Sequence, residues 1–77
     1  MTKEEKRLVE KAKKIPHGTV RLPAQSRPQC DFCGSPALVD GKTKMGHWAF
    51  LCLFHYRIWG VGLGLGRGQV LLTDEEN

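Results

Sequence analysis

The sequence has no apolar run approaching the roughly 18 residues a membrane span needs. The stretch from Phe50 to Leu72 comes nearest, and His55, Arg57 and Arg67 interrupt it. The amino terminus is charged from Lys3 onward with no apolar segment behind it, so no secretory signal is expected and the cytoplasm is favoured, with no membrane partner. There is no internal repeat. A Gly-Lys-Ser/Thr phosphate loop is missing as well, and the glycine run cannot be read as G-x-G-x-x-G because Leu65, Arg67 and Gln69 stand where glycine would be required. A fourth cysteine is also lacking. Three cysteines suit a disulfide framework poorly, but they suit a metal site completed by one other ligand.

What is present is short. A chain of 77 residues buries only about 60% of the surface its unfolded form exposes, so a staple of some kind is expected. The charge is uneven. Residues 1–29 carry eight Lys/Arg against three Glu, residues 30–72 carry four Lys/Arg against two Asp, and the end of the chain, TDEEN, is acidic, for a net of +4. The balance favours an anionic partner, although a surplus this modest also serves solubility alone.

The segment TKEEKRLVEKAKKI predicts a helix over residues 1–15. Thr2 with Glu5 three residues on forms a capping box. Glu4 and Glu5 suit the positive end of the dipole, and Lys13 and Lys14 the negative end. Leu8, Val9, Ala12 and Ile15 make a narrow apolar stripe, and Pro16 ends the helix. The helix is either a separate arm or packs back onto the module that follows, and so narrow a stripe favours an arm that is partly mobile. Residues 16–29 carry three prolines and read as an extended linker. A compact module follows over 30–72, and an acidic, disordered tail over 73–77. Within the module, PALVD and HWAFLC flank the turn GKTKMG as a hairpin. CLFHYRIW reads as a helix or an irregular turn stopped by Gly60, and QVLL as a final strand.

The most specific pattern is C-x2-C-x18-C-x2-H, formed by Cys30, Cys33, Cys52 and His55. Cysteines three apart clamp one ion when the backbone folds into a knuckle, and Gly34 supplies the positive φ that such a knuckle needs. Cys52 and His55 share one face of a helical turn. Three thiolates and an imidazole select one Zn²⁺ in a closed tetrahedral site, structural because no position is left for water. The metal-binding free energy of such sites, about 10–16 kcal/mol, exceeds the stability expected of so small a domain, so the module should not fold without metal. His47 and His17 are the rival fourth ligands, and the x2 spacing from Cys52 favours His55.

On these residues the chain resembles the treble-clef and zinc-ribbon zinc fingers. The order knuckle, hairpin, helix is the treble-clef order, and the resemblance implies a small metal-stabilised α+β fold with Cys52 and His55 on the first turn of the helix. Residues 30–72 as a string are also similar to short zinc-finger proteins of bacteriophage genomes, a likeness that carries the four ligands and the glycine-rich tail but no activity.

In GVGLGLGRGQ, glycine occupies positions 60, 62, 64, 66 and 68. Val61, Leu63 and Leu65 alternate with them, the pattern of a strand with one buried face. The bare glycine face would let an aromatic ring, or a docking partner, approach closely. Two functions compete. One is nucleic-acid binding through Lys42 and Lys44 of the hairpin turn, Arg57 of the helix, Arg67 of the glycine run and the cations of the arm. The other is a protein adaptor that docks on a larger host complex through its aromatic and glycine-rich surface. An enzyme is not expected, because His47 and Asp40, the only candidates for a nuclease set, do not assemble one.

Overall fold

A computed structural model describes residues 2–23 and 25–73. The first helix, α1 (Lys3–Lys13), forms where the capping signals place it. Thr2 N–H donates to Glu5 Oε1 at 2.8 Å, and Glu5 N–H donates to Thr2 Oγ1 at 3.2 Å. The helix ends at Lys14, whose N–H donates to the Lys11 carbonyl at 3.2 Å, two residues before Pro16.

Four strands follow, with a second helix among them: β1 (Thr19–Leu22), β2 (Val39–Lys42), β3 (Trp48–Leu51), α2 (Leu53–Trp59) and β4 (Gly68–Thr73). They make a small α+β fold with one sheet in the order β1-β4-β2-β3. The β1–β4 pair is parallel, and the other two pairs are antiparallel. Strand alternation puts Val39, Leu51 and Val70 on one face and Asp40, Phe50 and Gln69 on the other. Both helices contribute to the first face. Val9 and Ala12 of α1 join Val39, Leu51, Leu63, Val70 and Leu72 in one core cluster, with Leu8, Ile15, Leu53 and Tyr56 packed against it. Among the described residues no helix is long and apolar enough to cross a membrane.

Three expectations are corrected. The apolar stripe of α1 is narrow but sufficient, so the helix is packed on the sheet and is not a detached arm. The expected linker over 16–29 contains β1, because Pro16 and Pro23 flank Thr19–Leu22 without removing any of its N–H groups. What remains of that linker is stitched down. Arg27 donates to the carbonyls of Ala37 at 2.6 Å and Leu71 at 3.1 Å, and Ala37 N–H donates to the Pro28 carbonyl at 2.9 Å.

The third correction concerns the glycines. Gly62, Gly64 and Gly66 have φ of +138°, +113° and +79°, left-handed backbone that glycine adopts cheaply and no strand contains. The run is a loop, closed by Gly68 N–H on the Gly64 carbonyl at 3.0 Å and Gly64 N–H on the Gly68 carbonyl at 2.7 Å. Only Leu63 of the three alternating apolar residues is buried. Val61 is 45% exposed and Leu65 80%. Gly60 does cap α2, though with extended backbone at φ −70°, and a Cβ there would lie 2.5 Å from the Tyr56 ring. The expectation for the tail beyond Thr73 concerns residues 74–77, which lie outside the described residues.

Candidate metal centre

The two halves of the cysteine pattern come from different local structures. Cys30 to Gly34 fold over on themselves. Gly34 N–H donates to the Cys30 carbonyl at 2.9 Å, and Gly34 takes φ of +77°, the role its place after Cys33 suggested. The other half begins where β3 ends. Cys52 is the N-cap of α2, and its sulfur accepts from His55 N–H at 3.5 Å. His55 therefore stands on the first helical turn.

The knuckle is fastened to β3 by Asp31. Its N–H donates to the Phe50 carbonyl at 2.9 Å, and its carboxylate accepts from Phe50 N–H at 2.7 Å. This pin fixes the Cys30 half against the strand that leads into Cys52. Sequence reasoning missed it, although an aspartate between the two knuckle cysteines was the available signal. Aromatic rings then orient the imidazole. Phe32 stacks on His55 with centroids 5.3 Å apart, Trp59 stacks on Phe32 at 6.0 Å, and Phe54 meets His55 edge-on at 5.1 Å.

These constraints bring Cys30, Cys33, Cys52 and His55 together, with one ligand atom from each and all four atoms within 4.8 Å of one another. The donor spacing tests whether one ion fits. Ligands at about 2.3 Å for sulfur and about 2.0–2.1 Å for nitrogen on a tetrahedron stand about 3.8 Å apart for a sulfur pair and about 3.5 Å apart for sulfur and nitrogen. The Cys33 and Cys52 sulfurs are 3.8 Å apart, and His55 Nδ1 lies 3.5 Å from the Cys30 sulfur and 3.3 Å from the Cys52 sulfur. The four residues are positioned to hold a single metal ion through Nδ1 and three sulfurs.

The sulfurs differ in surroundings. The Ser35 hydroxyl and N–H donate to the exposed Cys33 sulfur and lower its pKa to about 6, which favours the thiolate that a metal requires. Burial instead pushes the Cys52 thiol up. Neither rival histidine joins the cluster. His47 is exposed and serves the hairpin turn through its carbonyl, which receives the Thr43 N–H and hydroxyl at 2.8 Å each, and His17 is exposed.

The expected partner-binding cations do not share one place. Lys42 closes β2 and does not sit in the turn. It lies beside Arg67, whose carbonyl accepts its N–H at 2.8 Å. Lys44 is exposed in the hairpin turn. Arg57 is drawn towards α1, with Nη1 2.7 Å from Glu4 Oε2. No protein-family model, curated protein or solved structure matches the chain.

Proposed function

We propose that the protein is a non-enzymatic, treble-clef-like module, held by one structural Zn²⁺ at Cys30, Cys33, Cys52 and His55, that binds nucleic acid mainly through the outer face of α1. Three sulfur donors with one imidazole, three of whose mutual distances match a zinc tetrahedron, support zinc over harder cations. Four protein ligands complete its coordination, so the ion would supply rigidity and no reactive position. The succession of knuckle, β2–β3 hairpin and α2 supports the treble-clef likeness, and with it the likeness to short phage zinc fingers.

One observation carries the nucleic-acid reading. With Val9 and Ala12 buried against the sheet, Lys3, Lys6, Arg7, Lys11, Lys13 and Lys14 are all exposed on a helix that cannot drift. Glu10 is the one exposed acid among them that does not face the second helix or the cap, and it is paired with Lys13 at 3.3 Å. Lys3, Arg7, Lys11 and Lys14 follow one side of the helix over about 16 Å, a length that spans several consecutive backbone phosphates. This exposure supports a binding surface on α1 and Arg57 more than on the hairpin turn and the glycine loop.

The test is fluorescence anisotropy of labelled DNA and RNA oligonucleotides with metal-loaded protein at several salt concentrations. Affinity should fall with salt at a log–log slope of about −0.9 per phosphate neutralised on duplex DNA, or about −0.7 on a single strand. Absence of binding at 50 mM salt would sink the reading. A protein-adaptor reading has its own support. Phe54 is 65% exposed and Ile58, one turn further along α2, is 40% exposed, so two apolar side chains share one uncovered helix face. Loss of partner capture in a Phe54→Ser/Ile58→Ser variant that still binds oligonucleotide as before would favour it.

A further inference from the structure

Between α1 and α2 runs an open groove of about 270 Å³. Its floor is apolar, made by Leu8, Leu53 and Tyr56. Its rim is cationic: Arg7 and Lys11 stand one turn apart on α1, and Arg57 faces them from α2. Glu4 is the groove's single acid, and it holds the Arg57 guanidinium at 2.7 Å.

We propose that this groove seats a backbone phosphate of the bound nucleic acid, and that Glu4 is the carboxylate this phosphate displaces from Arg57. The proposal rests on the nucleic-acid reading above. The Glu4 contact shows that Arg57 already reaches an oxyanion in the groove. Carboxylate and phosphate oxygens engage a guanidinium in the same way, and phosphate brings more charge and more acceptors. The contact is easily surrendered, because the two side chains are 60% and 54% exposed and ion pairs so exposed contribute little. The site needs no rearrangement of the helices, since both pack on the same sheet face. Its apolar floor supports the aliphatic stems of Arg7 and Lys11.

The experiment measures single-strand oligonucleotide affinity by anisotropy with full-length, zinc-loaded protein and a set of variants. Glu4→Gln should tighten binding about two- to fivefold, the effect of releasing an exposed pair. Asp40→Asn, the same change in net charge on the opposite sheet face, should leave affinity unchanged. Arg57→Gln should weaken binding, and Glu4→Gln added to it should then change nothing. Arg7→Gln gives a second loss of affinity that does not involve the bridge. The groove is overturned if Glu4→Gln and Asp40→Asn behave alike, or if Arg57→Gln binds as the parent does. In those cases the nucleic-acid reading stands on other cations. A poly-glutamate peptide that binds more tightly than the oligonucleotide, with the same dependence on Arg57, overturns nucleic acid as the occupant. A parent protein that binds no oligonucleotide removes both the reading and the groove.

Discussion

The knuckle-and-α2 region and the α1–β4 region are held by different forces. From Asp31 to Pro36 every residue is exposed, and α2 buries none of its seven residues. In the α1–β4 region, by contrast, five of the six residues of β4 are buried, and Val9 and Ala12 of α1 close over Val70 and Leu72. Apolar burial can hold the second region, but in the first it acts only through Leu53 and Tyr56, which are partly buried against the core. The first has four donors at the spacing of one ion, a backbone pin from Asp31 and a short aromatic stack. A small core thus organises one half of the molecule, while the other half carries four side chains positioned to be clamped by one metal ion.

Metal removal breaks this comparison most directly. A tight chelator should abolish the cooperative thermal transition, because a term of about 10–16 kcal/mol exceeds the few kcal/mol that a core this size supplies. Cys52→Ser should do the same through loss of a ligand alone, since a serine hydroxyl can still cap α2. Hydrogen exchange on partly stripped protein should lose protection first in 30–36 and 53–59 and last in β4. A chelated protein that keeps its far-UV circular dichroism and melts cooperatively would show that the apolar half suffices alone.

Side-chain deletions sharpen the contrast at smaller scale. Leu72→Ala should cost about 2–5 kcal/mol in urea denaturation of the loaded protein, through lost burial and the cavity left behind. Phe54→Ala removes a larger side chain from the metal-held region and should cost about 1 kcal/mol or less, the worth of one edge-on contact with His55. Thr2→Ala should cost about 1 kcal/mol by opening the capping box. It should also lower exchange protection at the amino end of α1 without altering metal content.

The metal-held region was the more legible of the two in the sequence. Ligand chemistry is local and type-specific, so the clustering of Cys30, Cys33, Cys52 and His55 could be read from spacing, and the turn at Gly34 from a single position. The apolar region was read less well because its information is non-local. Nothing near Thr19–Leu22 announces that its partner is β4, some fifty residues on, and three neighbouring prolines argue the other way. The stripe on α1 looked too narrow because its width says nothing about the shape of the surface it meets. In the glycine run, alternation imitated a strand. Alternate glycines can leave one face of a strand bare or supply the positive φ of a loop, and only the backbone torsions separate the two.

Asp40 sits near the seam between the two regions and gives the smallest predicted effect. It lies on β2, and its carboxyl pKa is raised above the ordinary 3.8, first by burial and then by the charge of Asp31 in the knuckle. A carboxyl whose folded-state pKa lies above its unfolded value opposes folding when ionised. The opposition is absent below the ordinary value. It grows as pH rises towards the raised folded-state value and is constant above that. Asp40→Asn should therefore stabilise the loaded protein at neutral pH by a few tenths of a kcal/mol, a small figure because much of the side chain is solvated. Differential scanning calorimetry at pH 7 would show a slightly higher Tm. Asp31 supplies only the second of the two causes, so placing Asp40→Asn on a protein that already carries Asp31→Asn, with all four metal ligands intact, should reduce the gain. An undiminished gain there would mean that the two regions do not communicate through these carboxylates, leaving burial of Asp40 within the sheet as the whole cause.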